Sequence, residues 1–291
     1  MEILQLIVSG LANGCVYGLI ALGFVLIYKA TEQVNFAQGD MMMLGAFIAL
    51  ALGNDSHLGA PFWAACTGAI LAMAAIGWLL ERVVLRHVFG QPQIAVMILT
   101  IAIGFVLRFV AGAAWGHDPQ ALESPAAGVN FRLGGLILGL DEIATIAVTV
   151  LLTGLLFLFF ARTRLGIAMQ ASSQNQLAAY YMGIPVKRIH GLTWALAGAT
   201  AAVAGLLFAS KGSIDPSAGF LGIKAFAAAV IGGFGSLPGA LAGGLIVGLI
   251  EPFASRYVSA GYAQIAPYAV MILVLIVRPH GILAQVGAKK V

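Results

Sequence analysis

Three clusters of residues in this chain have types and spacings that could carry function, two by lining a path through the membrane and one by docking a cytoplasmic partner. The first is Asn35, Phe36, Gln38 and Asp40, inside YKATEQVNFAQGDMMMLGAF (Tyr28–Phe47). Amides both donate and accept hydrogen bonds, and a carboxylate carries charge, so this set makes a polar knot between two apolar segments. The turn is so short that these residues must sit at the start of the following helix. Asn35 then fits an N-cap, and Asp40 lies where the positive end of the helix dipole favours an anion. Two readings stay open: a cap with an interfacial carboxylate, or a polar helix start facing a water-accessible path. The second cluster is Gly233, Phe234, Gly235 and Ser236 within VIGGFGSLPGALAGGLIVG (Val230–Gly248). Its glycines and Pro238 interrupt a regular helix. Broken backbone at membrane depth is tolerated only inside protein or beside a water-filled cavity. This turn could therefore line a path, or it could be an ordinary exposed connection. The third is ARTRLGIAMQASSQNQLAAYYMGIPVKRIH (Ala161–His190), a polar, basic stretch with a helix-forming centre and Gly183 and Pro185 as a stop.

The sequence holds no GxxxxGK[ST] phosphate loop, no HExxH and no GxSxG, and its five histidines are scattered. No catalytic constellation, metal set or cofactor motif is expected, and the chain is not read as an enzyme.

The elements that must position these clusters follow from composition. Hydrophobic residues make up 61% of the 291 residues and charged residues 9%, with a mean hydropathy of +0.99. Soluble domains run nearer about half apolar and about a quarter charged, so the chain reads as a polytopic membrane protein. Its fold class is an all-α helical bundle of about eight or nine spans, at about 20 apolar residues each. Apolar segments lie near 3–28, 35–52, 61–80, 94–115, 139–160, 190–210, 222–234, 239–256 and 263–278. They form one transmembrane domain over 1–291, with 161–190 as a cytoplasmic loop.

The basic connections are Lys29, Glu81–His87, Arg162–His190 and Arg278 with the Lys289–Lys290 tail. Placing them all inside satisfies strict alternation and puts the N-terminus outside. The same pattern makes the net charge of +4 a matter of topology, and no nucleic-acid partner is expected. The first residues lack a basic n-region, which argues against a cleaved signal peptide. Cys15 and Cys66 lie in apolar segments and read as packing residues. Between Lys211 and Arg278 the chain must cross an odd number of times. Three apolar pieces fit that parity: a hairpin of two shortened or broken helices, entering from outside and turning at Gly232–Gly239, followed by the 263–278 span. The 37 glycines, about twice the usual share, suit close helix packing in lipid. Arg108 and Glu251 stand alone in their apolar segments, with no partner assignable from sequence.

Three stretches together resemble the permease subunits of branched-chain amino acid ABC importers: NFAQGDMMMLGAF (Asn35–Phe47), RTRLGIAMQASSQNQLAAYYMGI (Arg162–Ile184) and AAAVIGGFGSLPGALAGGLIVG (Ala227–Gly248). The chain looks like the shorter of the two permeases such systems carry, a multi-pass protein of the bacterial inner membrane. The resemblance implies a second homologous permease, two cytoplasmic ATP-binding subunits and an extracytoplasmic substrate-binding protein, all within membrane lipid. It also implies that QNQLAAYYMGI is a coupling helix, with Gln176, Ala178, Ala179, Gly183, Ile184, Lys187 and Arg188 at the ATPase contact. Ala178, Ala179 and Gly183 keep the spacing of the importer signature, whereas Leu177 stands where that signature has Glu. Similar scaffolds serve urea, short amides and aromatic acids. An ion-coupled secondary transporter or a passive channel would be readings from other classes.

Overall fold

The computed structural model describes residues 2–53, 59–88, 90–133 and 136–283. Each of the nine apolar segments is helical. Seven helices are long and apolar enough to cross a membrane: α1 (Glu2–Thr31), α3 (Phe62–Val83), α4 (Gln93–Trp115), α5 (Leu140–Arg162), α8 (Val186–Lys211), α10 (Leu237–Tyr257) and α11 (Ala260–Val277). Two are shorter, α2 (Gln38–Gly53) and α9 (Leu221–Gly232). The polar loop holds two more, α6 (Arg164–Gln174) and α7 (Gln176–Tyr181), rather than a single short helix.

α1 is the axis of the bundle. It is buried along nearly its whole length, with α8, α9 and α10 packed around it. Lipid tails are as apolar as leucine, so helices associate here through close packing. Small residues decide where that packing forms. A Cβ at Gly14 would lie 2.8 Å from Leu245 Cα, and one at Gly248 would lie 2.2 Å from Gly14 Cα. By contrast α3, α4, α5 and α11 expose large apolar side chains such as Leu71, Phe109, Leu151 and Ile276. This belt is turned toward hydrocarbon or another membrane subunit.

Three contacts gather one end of the bundle. β1 (Gln120–Ala121) pairs antiparallel with β4 (Ser213–Ile214), Arg256 meets Glu2 at 3.1 Å, and Gln5 bonds the Ile137 backbone. A second short hairpin, β2 (Asn130–Leu133) with β3 (Leu136–Gly139), lies at the same end. The opposite end carries Lys29, Arg86, Arg164, Lys187 and Arg188. Lys211 and Arg256 thus fall on one side, as crossing parity required.

The hairpin differs from its expectation in one arm. Its first arm is broken: a 3-10 turn (Pro216–Phe220), capped by Asp215, precedes α9, which at 12 residues is about 18 Å long. Its second arm, α10, is a full 21-residue helix that keeps Pro252 within it. This unbroken arm packs on the Gly10, Gly14 and Gly18 face of α1 between Leu241 and Leu249.

α2 is the other half-helix. Glu32, at φ 55°, ends α1 in the left-handed region. The chain then turns back along α4: Gln93 bonds Glu32 O at 3.2 Å, and Phe36 N bonds Thr100 Oγ1 at 3.2 Å. α2 therefore begins inside the bundle, well away from its basic end. The first turns of α2 and α9 meet there, since a Cβ at Gly39 would lie 2.6 Å from Gly222 Cα.

Candidate functional site

Asp40 sits in the first turn of α2 and receives two hydrogen bonds from Arg108 of α4, from Nη2 at 2.7 Å and Nε at 3.1 Å, both on Oδ1. The carboxylate is almost wholly buried and the guanidinium is 18% exposed. Arg108 stacks over the Phe220 ring at 3.8 Å and lies 5.5 Å from the Phe105 ring, which adds cation–π attraction. Space for the carboxylate comes from glycine. A Cβ at Gly104 would lie 2.4 Å from Asp40 Oδ2, and one at Gly219 2.1 Å from Oδ1. The pair borders a cavity of about 270 Å³ walled by Phe24, Phe36, Ile101, Phe105, Phe220 and Ile223.

Of the other residues of this cluster, Phe36 walls the same cavity, whereas Asn35 and Gln38 do not line it. Asn35 and Gln38 are fully buried, and their polar groups are bonded inside the fold. Asn35 Oδ1 accepts from Ala37 N at 3.1 Å, Asn35 Nδ2 donates to Gln38 Oε1 at 3.2 Å, and Gln38 Nε2 donates to Ala197 O at 3.1 Å. This arrangement anchors the start of α2 to α8. Phe36 belongs to an aromatic row: Phe36 to Phe226 at 5.2 Å, Phe226 to Phe234 at 5.6 Å, and Phe234 to Tyr28 at 5.0 Å.

The turn Gly233–Ser236 stands at the basic end of the bundle and does not face Asp40 directly; the aromatic row lies between them. Its backbone is largely bonded. Gly233, at φ +99°, donates to Ala229 O at 2.9 Å, and Ser236 N donates to Gly233 O at 3.1 Å. Ser236 Oγ accepts from Gly239 N at 3.1 Å and caps α10. The carbonyls at the end of α9 accept from the returning tail, Ile231 O from Ile282 N at 2.9 Å and Gly232 O from Leu283 N at 3.1 Å. Gly235 and Ser236 instead border a cavity of about 310 Å³ with Lys29, Phe157, Phe160 and Leu283.

The basic loop is built in two pieces. Thr163 Oγ1 caps α6 by accepting from Gly166 N at 3.0 Å, and Gln170 bonds Phe160 O at 2.9 Å, folding α6 back on α5. Asn175 then breaks the helix and caps α7, its Oδ1 accepting from Ala178 N at 2.9 Å. α7 closes with Gly183 at φ +82°. Gly183 N bonds Tyr180 O at 2.9 Å and Ile184 N bonds Ala179 O at 3.0 Å, a Schellman closure. Ala179 packs inward, whereas Gln176, Ala178 and Gly183 are exposed. Leu177, Tyr180, Tyr181 and Met182 are exposed too, with Met182 at 82%. Gln176, Leu177, Tyr180, Lys187 and Arg188 line one groove with Arg86, which buried Glu81 holds at 3.0 Å.

Residues 6–275 match the family described as branched-chain amino acid transport system / permease component. The chain belongs to this family. The permease is 35% identical to the Pseudomonas aeruginosa protein named high-affinity branched-chain amino acid transport system permease protein BraD, over 99% of this chain and 98% of that one. It is 34% identical to Escherichia coli LivH, named in the same terms, over 99% and 97%. The fold is shared at lower identity with a solved structure of PsaBC from Streptococcus pneumoniae in complex with Fab. That similarity has a TM-score of 0.53 at 17% identity, over 96% of this chain and 93% of the other. The permease is a multi-pass inner-membrane transport component and not an enzyme. Among its described residues no three of His, Cys, Asp and Glu come together as a metal site would require.

Sequence reasoning found Asp40 and missed its partner. Arg108 is 68 positions away on another helix. The only signal was a charge in the middle of an apolar run, which demands a partner without naming one. Glu251 had the same signal. In the structure it accepts from Tyr17 at 2.7 Å and pairs with Lys224 of α9, so the two arms of the hairpin are tied by charge.

Proposed function

We propose that this permease forms one half of the membrane pathway of an ATP-driven importer of branched-chain amino acids. BraD and LivH are named for high-affinity branched-chain amino acid transport, and identity of 34–35% over full length supports the same substrate class here. In this reading the apolar belt meets a second, homologous permease. Two ATPases bind the basic end, and a substrate-binding protein delivers solute at the other. The excess of Lys and Arg at the α6–α7 end supports a cytoplasmic location for that face.

The observation that carries the coupling reading is α7, a short helix closed at both ends that presents Leu177, Tyr180, Tyr181 and Met182 to solvent. Exposed apolar side chains on a rigid, capped element suit a groove in a partner. Ala179 and Ile184 hold the helix, while Gln176, Lys187 and Arg188 offer polar contacts at its rim. ATP binding draws the ATPases together and moves α7. α6, bonded to the end of α5 through Gln170, passes the displacement into the bundle. The result is a two-state element that ATP and solute both bias. Phe36 and Asp40 flank the path, Asn35 and Gln38 hold the start of α2, and Gly233–Ser236 stand near the exit.

The test is uptake of radiolabelled leucine into proteoliposomes. They hold the complete transporter, with ATP inside and loaded binding protein outside. Accumulation that needs ATP supports the reading. No ATP-dependent accumulation of leucine, isoleucine or valine would refute it.

A further inference from the structure

The Asp40–Arg108 pair lies where the fold itself has little use for a charge. Arg108 is seven residues before the end of α4, about 10 Å below that end at the helical rise. Its side chain leans back toward the helix N-terminus, which takes the guanidinium deeper. Even so the Arg108 side chain is 18% exposed and borders the cavity between α2, α4 and α9, which is open on one side of the subunit, where its walls Ile101, Phe105, Phe220 and Ile223 are exposed. A guanidinium at that depth is costly against hydrocarbon, so the open side of the cavity suits a wet path closed by another membrane subunit.

Three features define what the cavity would hold. Asp40 occupies one edge of the guanidinium, through Nε and Nη2. The Nη1 donors have no acceptor among the described residues, and the remaining fork matches a carboxylate. The start of α2 lies beside the pair, so its dipole end adds positive potential there, and the turn leading into α9 and the first turn of α9 pack against it at Gly219 and Gly222. The other walls are apolar: Phe24, Phe36, Ile101 and Ile223.

We propose that this cavity is a transit site for an α-amino acid. The carboxylate takes the free edge of Arg108, Asp40 draws the ammonium, and an aliphatic side chain rests against Phe24, Phe36, Ile101 and Ile223. The inference deepens the importer reading and rests on it. Asp40 already neutralises Arg108, so the solute competes with an internal carboxylate. It is held weakly enough to leave toward the basic end.

The test uses the complete transporter in proteoliposomes, without binding protein, carrying Ile101→Cys in a Cys15→Ala, Cys66→Ala background. An aqueous thiol reagent should label Cys-substituted position 101, and millimolar leucine should slow that labelling. Leucinamide, which lacks the carboxylate, should not. Arg108→Lys keeps a cation for Asp40 but loses the fork. It should raise the leucine concentration needed for protection about tenfold, the value of one lost charged hydrogen bond. The unprotected labelling rate and subunit assembly should not change. A position 101 that no aqueous reagent reaches overturns the proposal, as does equal protection by leucine and leucinamide. ATP-driven uptake by the wild-type complex is measured in parallel. Protection without uptake refutes the importer reading alone, and uptake without protection refutes the site alone.

Discussion

Gly183 closes α7, and replacing it isolates what that closure contributes to coupling. Its φ is +82°, and a Cβ built there meets nothing within 4 Å. Substitution therefore strikes no neighbour, and its whole cost is backbone conformation. An ordinary L-residue in the left-handed region costs roughly 1–2 kcal/mol relative to glycine. Asparagine tolerates that region better, and a β-branched valine tolerates it worse. Opening the closure releases two bonds, Gly183 N to Tyr180 O at 2.9 Å and Ile184 N to Ala179 O at 3.0 Å. A six-residue helix has little internal cooperativity to offset that loss. A shift of 1–2 kcal/mol changes its ordered population about 5- to 30-fold. We expect substrate-stimulated ATPase activity and uptake to fall in the order Gly, Asn, Ala, Val at position 183. The permease pair should remain in the membrane throughout. The assay is ATP hydrolysis by reconstituted complexes with and without loaded binding protein. Coupling by Gly183→Val equal to wild type would show that the closure transmits nothing.

Three further outcomes follow from the packing. Gly248→Leu places side-chain atoms where Gly14 Cα already lies, at 2.2 Å for the Cβ alone. It should lower the thermal stability of the detergent-solubilised permease by at least about 1–3 kcal/mol, whereas Gly235→Leu, with open space around it, should leave the melt unchanged. Lys224→Met leaves Glu251 without its cation and should cost about 1–3 kcal/mol; adding Glu251→Gln should recover part of that loss in the same melting assay. Cysteines at Ser213 and Ser255 should both react with an impermeant reagent added outside cells, and one at Gln174 only after the membrane is opened; a split between the first two would break the hairpin assignment.

Much of the architecture was legible in the chain. Each of the nine apolar segments became a helix, because about 20 residues of hydrocarbon-compatible side chains leave the backbone no other way to satisfy itself. Helix α7 was readable through Gly183 and Pro185. Its cap at Asn175 is a local bond to Ala178 N, whereas the separate helix α6 before it folds back onto α5 through Gln170 and Phe160 O. The turn Gly233–Ser236 read as broken backbone that could line a path, yet its amides and carbonyls are largely bonded. The turn's own bonds are local, Gly233 N to Ala229 O, Ser236 N to Gly233 O and Gly239 N to Ser236 Oγ, while the carbonyls just before it, Ile231 O and Gly232 O, accept from Ile282 N and Leu283 N, some 50 residues further on.

Hydropathy and charge asymmetry therefore determined the apolar segments and their parity from sequence alone, while the resemblance to the family rested on three motifs, Asn35–Phe47, Arg162–Ile184 and Ala227–Gly248. Hydropathy and charge are sums over neighbouring residues and need no knowledge of packing. Tertiary structure alone decided that Asp40 meets Arg108, that Lys224 meets Glu251, and that α2 and α9 start inside the bundle. Those pairings depend on which helix faces touch and at what depth. Close approach at Gly39, Gly222 and the Gly14–Gly248 crossing sets both, and a single charge in an apolar run states only that some partner must exist.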